Sequence, residues 1–298
     1  MNAGPRDDAG QRAYRELQKR AKASGRNTQE LLDLYALEGF LARLATSDAR
    51  DDFILKGGVL LAAFGNRRPT RDVDLAAENI SNAPSSVLSQ IVNVCEAALP
   101  IDDGVQFSTA GATAEVIREE DDYSGVRVSV DARIGKVRLR FHVDVNIGDP
   151  IIPGPDIVSV PRLLDGDPIE LRGYPLHMVL AEKIVTAVQR GTANTRWRDF
   201  GDIWTLTRSH SVSGSTLRDA IREVAAHRVV ALASLADVLD GYADLSQPKW
   251  EQWRRRHTRD DLPPRLHPVI ESVIEFADPV LTGDASAQVW DPDRTAWQ

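Results

Sequence analysis

The segment VRVSVDARIGKVRLRFHVDVNIG, residues 126–148, alternates apolar and polar side chains along two runs separated at Ile134 to Lys136, the signature of a β-hairpin. Successive side chains of a strand point to opposite faces, so Val137, Leu139, Phe141, Val143 and Val145 share one face and Arg138, Arg140, His142, Asp144 and Asn146 the other. One face is built for a core and the other for water or a ligand. The apolar face needs covering, and the flanking sequence supplies amphipathic helices. Leu31, Leu32, Leu34, Tyr35, Leu37, Phe40, Leu41 and Leu44 recur at helical spacing after the capping pair Asn27-Thr28, and residues 85–99 form a second such helix. RDVDL, residues 71–75, reads as a further strand, with Val73 and Leu75 pointing one way and Asp72 and Asp74 together the other.

Proline and glycine cluster from Asp149 to Pro155 and again around Pro161 and Gly166, marking the exit from the sheet-bearing half. Beyond Pro175 the patterns are helical: LHMVLAEKIVTAVQR, RDFGDIWTLTR and LRDAIREVAAHR, with later segments after Pro248 and Pro264 and no return of strand alternation. The first dozen residues read as a frayed tail, and GDASAQVWDPDRTAWQ at the C-terminus as a polar tail that wraps back or frays. The fold class expected is α/β (α+β), with residues 1–170 as a mixed-sheet core that includes the N-terminal helix. Residues 171–298 are expected to form a helical lobe that completes a cleft.

Composition narrows the functional classes. Of 298 residues 42% are hydrophobic and 27% charged, as in a soluble globular protein. With 36 Lys+Arg against 44 Asp+Glu the formal charge is -8, so any contact with nucleic acid must be local. The single cysteine, Cys95, cannot form an internal disulfide or a cysteine-rich zinc site, and its neighbours Ile91, Val92 and Val94 suit a buried thiol in a reducing cytoplasm. The start of the chain has no apolar signal core, and no apolar run approaches the ~20 residues that span a bilayer.

Asp72 and Asp74 on one strand face repel each other unless a cation lies between them. Magnesium suits that task, because it takes one or two carboxylates together with waters and substrate phosphates. Asp144 is the third candidate ligand if its strand is a neighbour, and the oxygens of all three are then expected close enough to share ions. Upstream, Gly57-Gly58 lets backbone approach a phosphate ahead of a short helix. A D-x-D pair is common on surface strands, and Gly-Gly is more often a turn. It is their order along the chain, followed by a hairpin whose second strand carries Asp144, that points to chemistry.

In sequence order these residues resemble the DNA-polymerase-β-type nucleotidyltransferase superfamily, and within it the AbiEii/AbiGii toxin family with its MenT-like members. The resemblance rests on K-G-G-(x)13-D-V-D and the V-D-V strand. It extends from LYALEGFLARL through LKGGVLLAAFGNRRPTRDVDL and HVDVNIGDPI to AEKIVTAVQR and RWRDFGDIWTL. It implies a polymerase-β-type core with a helical C-terminal lobe. The implied nucleotide-binding residues are Gly57, Gly58 and Lys183, with Lys56 beside the glycines, and the implied metal ligands Asp72, Asp74 and Asp144, holding Mg2+ or Mn2+. The superfamily motif is Gly-Ser, whereas Gly58 stands where the serine would be, so backbone amides or Lys56 must replace its hydroxyl.

Lys183 and Arg190 lie seven residues apart on one helix face, where cations could neutralise a triphosphate; without the resemblance, Glu182, Lys183 and Arg190 read as a solvated face. The family places a required acid at RWRDFGDIWTL. Asp199 and Asp202, at i and i+3, are the matching candidates; Asp199 is favoured for its adjacency to Arg196 and Arg198, and spacing does not separate the two. Arg67, Arg68 and Arg71, with Arg196 and Arg198, are the candidate contacts to an acceptor RNA. Arg138, Arg140, His142 and the Arg254–His257 run are further basic groups, the last equally an amphipathic helix with Trp250 and Trp253. His142 is a weak candidate for a magnesium site, which prefers oxygen, and His177 reads as structural.

The activity implied is transfer of a nucleoside monophosphate from a nucleoside triphosphate to the 3′ end of tRNA. Aminoacylation and translation would then stop, and a cognate antitoxin would hold the enzyme in check. Two alternatives are transfer to a small-molecule or protein hydroxyl, and a noncatalytic nucleotide- or RNA-binding module.

Overall fold

The chain folds through a mixed sheet on which the alternating segments take the faces their patterns require. A computed structural model describes residues 5–119 and 123–298. The chain divides into two compact units. The first runs to Gly148 and takes in Pro155–Tyr174; the second comprises Asp149–Gly154 and Pro175–Gln298.

The first unit opens with helices α1 (Pro5–Ser24) and α2 (Thr28–Thr46). Asn27 caps α2 by accepting the Gln29 amide at 2.8 Å. Then come β1 (Phe53–Lys56), the single turn α3 (Gly57–Leu60) continued by a 3-10 turn to Phe64, β2 (Asp72–Ala77) and α4 (Pro84–Glu96). The strands β3 (Val105–Glu119), β4 (Tyr123–Ile134), β5 (Val137–Ile147), β6 (Asp156–Val160) and β7 (Ile169–Gly173) complete it. Among the described residues the seven strands lie in the order β3-β4-β5-β2-β1-β7-β6. β2 pairs with β5, and β1 with β7, in parallel; the other neighbours are antiparallel. The apolar hairpin face is buried as its alternation requires: Phe141 packs against Phe40 of α2 at 5.8 Å and Phe107 of β3 at 5.4 Å between ring centroids.

The second unit contains α5 (Leu176–Arg190), α6 (Trp197–Thr207), β8 (Val212–Ser213), α7 (Gly214–His227), α8 (Leu235–Val238), α9 (Tyr242–Arg256), α10 (His267–Thr282), β9 (Val289–Asp291) and β10 (Ala296–Trp297). Its last strands form a small antiparallel sheet, β10-β9-β8. Trp290 is buried, and its indole donates to the Thr207 carbonyl at 2.7 Å; the Trp297 indole donates to the Phe276 carbonyl at 3.0 Å. Phe276 stacks on Trp297 at 5.3 Å and meets Trp290 edge-on at 4.9 Å. Among the described residues no helix is long and apolar enough to cross a membrane.

Two expectations are corrected, on the N-terminal residues and on the Pro/Gly-rich stretch, and further strands come to light. The N-terminal residues from Pro5 are helical, not frayed: Ala9, Ala13, Leu17 and Ala21 make a buried stripe of mostly small side chains, which carry little hydropathy signal. The stretch before the hairpin is a full strand, β3, whose alternation is broken by a register irregularity between Ser108 and Thr113. The Pro/Gly-rich stretch does not leave the sheet, because β6 and β7 form between its turns and β7 docks beside β1. Of the two outcomes expected for the C-terminal tail the structure shows the first: it wraps back, pinned as β9 and β10 by its two tryptophans, strands too short to show a period.

Candidate active site

Parallel pairing of β2 with β5 sets Asp72 opposite His142 and Asp74 opposite Asp144. The pleat turns these side chains to one sheet face, while Val73, Leu75 and Val143 are buried on the other. On the far side of β2, β1 brings Lys56 opposite Asp74. Lys56 is buried, with its ammonium 5.6 Å from the centre of the Tyr174 ring. Asp72, Asp74, Asp144 and Lys56 are thus brought together by adjacent strands.

The glycines explain the close packing at β1–α3. Gly57 has φ +67°, and a Cβ there would stand 1.9 Å from Asp74 Oδ2, so only glycine is admitted. The Gly58 amide donates to that same oxygen at 3.3 Å. A Cβ at Gly58 would lie 2.9 Å from the Thr70 hydroxyl and 3.4 Å from an Arg68 guanidinium nitrogen. Thr70 therefore occupies the space a serine at position 58 would need, and puts a hydroxyl of its own beside it. Sequence reading missed Thr70, which lies outside the glycine motif.

Burial pushes Asp74 up from the ordinary 3.8 to about 6. The Lys56 ammonium and the Gly58 amide oppose that rise, while the Asp144 and Asp72 carboxylates add to it. Asp144 is held differently. Arg127 of β4 lies directly opposite it and grips both its oxygens, from Nε at 2.8 Å and from Nη2 at 2.7 Å. That hydrogen bonding raises the Arg127 pKa, and the charges of Asp144, Asp72 and Glu115 act in the same direction. Arg127 was not among the sequence candidates, although the turn position contained the signal: with Gly135 and Lys136 in the turn, Ile134 faces Val137, and counting back puts Arg127 opposite Asp144.

The donors of Asp72 and Asp74 fit a hard divalent cation. Both offer carboxylate oxygen, and the Asp144 and Asp72 charges beside the buried Asp74 add a repulsion that a cation would relieve. Asp144 offers the same donor type, with both oxygens already accepting from Arg127. Among the described residues no three Asp, Glu, His or Cys side chains stand gathered as a ready ion-binding group. His142 is hydrogen-bonded through Nδ1 to the Ser129 hydroxyl at 2.8 Å.

The second unit holds a separate charged cluster. Lys183 of α5 donates to Asp199 Oδ1 at 2.5 Å and to Asp202 Oδ2 at 2.9 Å, both on α6. The two acids share a helix face, as i and i+3 spacing requires. Lys183 is nearly enclosed, so it is no solvated surface charge; Asp202 is fully buried and Asp199 has 17% of its side chain exposed. Asp202 thus anchors the lysine, and Asp199 is the acid of the pair that still reaches solvent.

The remaining candidates are scattered. Arg67 turns toward Glu38 at 3.8 Å and donates to the Pro161 carbonyl, while Arg71 is exposed beside Asp33 at 3.6 Å. Arg68 is buried near Gly58. Arg190 lies in the last turn of α5, Arg196 precedes α6, and Arg198 is exposed in its first turn. His177 Nε2 is 2.6 Å from the Ile152 carbonyl, a structural contact. Trp250 and Trp253 are buried, so that stretch of α9 is a packed amphipathic helix. Cys95 is buried, and burial pushes its thiol up to about 12.

No curated protein matches the sequence. Similar solved structures include JHP933 from Helicobacter pylori, at 14% identity over 86% of this chain and 94% of that one, with a TM-score of 0.48. The nucleotidyltransferase toxin MenT4 from Mycobacterium tuberculosis H37Rv is another, at 15% identity over 89% of this chain and 98% of that one, with a TM-score of 0.49. Residues 39–277 match the family described as "Nucleotidyl transferase AbiEii toxin, Type IV TA system". Matched over most of its length, from the middle of α2 to α10, the chain belongs to the AbiEii family of toxin nucleotidyltransferases of type IV toxin–antitoxin systems.

Proposed function

We propose that the protein transfers a nucleoside monophosphate from a nucleoside triphosphate to the 3′-terminal hydroxyl of tRNA, releasing pyrophosphate and leaving the tRNA unfit for aminoacylation. The hydroxyl oxygen bonds to the α-phosphorus, the bond from that phosphorus to the pyrophosphate oxygen breaks, and the hydroxyl proton departs. The observation that carries this reading is the in-register pairing of Asp74 with Asp144 on neighbouring strands, with Asp72 on the same face and the Gly57 backbone against Asp74.

Asp72 and Asp74 would hold Mg2+ or Mn2+, with Asp144 joining them. A bound ion supplies charge neutralisation at the phosphates and at the attacking and leaving oxygens. Gly57 and Gly58 allow phosphate to approach the backbone, and the Thr70 hydroxyl and Arg68 serve in place of the motif serine. Lys56 offsets the carboxylate charge from the protein side. Lys183, oriented by Asp202 and Asp199, neutralises the triphosphate, with Arg190 on the same helix. Arg71, Arg196 and Arg198 are the proposed contacts to the acceptor, while Arg67 is held by Glu38 and the Pro161 carbonyl. The physiological consequence is growth arrest relieved by a cognate antitoxin in the cytoplasm.

The test incubates purified protein with total tRNA, Mg2+ and each α-labelled nucleoside triphosphate in turn. Label is expected on the tRNA 3′ end with at least one nucleotide, falling at least about 100-fold with Asp74→Asn and lost in EDTA. Persistent labelling by Asp74→Asn overturns the carboxylate assignment. Label on a small molecule or protein instead of tRNA overturns the acceptor.

A further inference from the structure

The hairpin that carries Asp144 extends well beyond the carboxylates, and its polar face has another feature. Pairing of β3, β4 and β5 lines up the row Gln106–Arg133–Arg138 and, two residues along, the row Ser108–Asp131–Arg140. Between the rows lies an open groove of about 620 Å³, confined to these three strands. Arg133, Arg138 and Arg140 are all exposed. Arg133 is steadied by two contacts to Gln106 Oε1, at 2.7 and 3.3 Å. Arg140 only leans on Asp131, at 3.7 Å with both side chains 53% exposed, a pairing weak enough for a phosphate to displace.

The polar face that carries the groove leads along β5 toward the carboxylates. On β5 the polar face reads Arg138, Arg140, His142, Asp144, one side chain every second residue or about 6.6 Å, so the nearer arginine row lies roughly 13 Å along the strand from Asp144. Three guanidiniums against one carboxylate make a local cationic strip on a protein of net charge -8. Charge complementarity therefore selects a polyanion, and the direct line to the carboxylates selects one whose end reacts there.

We infer that this sheet face is the track for the acceptor strand: the sugar-phosphate backbone leading to the reacting 3′ hydroxyl lies along β5, its phosphates paired with Arg140, Arg138 and Arg133. The inference rests on the acceptor being RNA, as proposed above. Such contacts position a strand without reading its sequence.

The experiment measures binding of fluorescently labelled total tRNA by anisotropy across a salt series. It compares wild type with the double variant Arg138→Gln, Arg140→Gln and with Asp131→Asn, and measures nucleoside triphosphate binding separately. Because all three positions are exposed on a sheet face, melting temperatures should match wild type. The double variant is expected to bind tRNA about tenfold more weakly, with a log–log salt slope shallower by roughly 1.4, two single-strand phosphate contacts at ~0.7 each. Triphosphate binding should not change, and Asp131→Asn should bind tRNA more tightly. If wild type binds tRNA and the double variant matches it in affinity and slope, the track is wrong and the proposed reaction stands. If wild type binds triphosphate but no tRNA, the acceptor reading fails and the track fails with it. Loss of binding to a protein antitoxin with tRNA binding intact also overturns the track.

Discussion

Glu38 shows how much one enclosed carboxylate can decide. It is buried on α2, accepts the Leu163 amide at 2.7 Å and has Arg67 and Arg162 each at 3.8 Å. Burial lifts its pKa from the ordinary 4.5 to about 7, more than the Leu163 amide and the two arginines pull it down, and Asp103 adds to the rise. A carboxyl that holds its proton more tightly when folded favours the fold fully below about pH 4.5, and that contribution is lost as pH rises through about 7. The expected loss between those limits is on the order of 2–3 kcal/mol. Denaturant melts at pH 5 and pH 8 check it: Glu38→Gln should show a smaller fall in stability than wild type, and parallel profiles would mean that Glu38 does not titrate in this range. At this scale Asp72 and Asp74 were legible because strand alternation is local. The charge that offsets them was not, since Lys56 is set opposite Asp74 by the pairing of a different strand, β1.

At the level of elements, α1 and α2 make an instructive pair. Both are helical, but α2 announces itself with leucines and an Asn cap whereas α1 packs mainly through alanines and a glycine. A Cβ at Gly10 would meet the Gly135 amide nitrogen at 2.6 Å and the Gly104 carbonyl at 3.0 Å, so α1 approaches the hairpin turn backbone to backbone. Gly10→Val should therefore cost about 1–3 kcal/mol by overpacking, read as a lower denaturation midpoint, with triphosphate binding unchanged. Unaltered stability would show that α1 is not held against the turn. The same logic separates β5, whose alternation is complete, from β3, whose irregularity hides a strand that the sheet nonetheless completes.

Across the whole molecule the two units carry separate charged clusters, the carboxylates with Arg127 in one and Lys183 with Asp199 and Asp202 in the other. The acidic total makes RNA binding depend on a few placed arginines. The three groove guanidiniums alone, at ~0.7 per single-strand phosphate contact, give a log–log salt slope of roughly -2 for tRNA, and contacts by Arg71, Arg196 and Arg198 steepen it to roughly -4. A slope clearly steeper than that would mean that contacts beyond these arginines contribute.

By itself the sequence determined the faces: which side of each long helix and strand is apolar, and that Asp72, Asp74 and Asp144 lie on polar ones. Periodicity is a local property, set by a few consecutive residues. Only the tertiary structure decided that β2 lies between β5 and β1, that Thr70 fills the space beside Gly58, and that Lys183 lies between two acids. Those pairings join residues far apart in the chain through backbone register and close packing, and no local pattern encodes them.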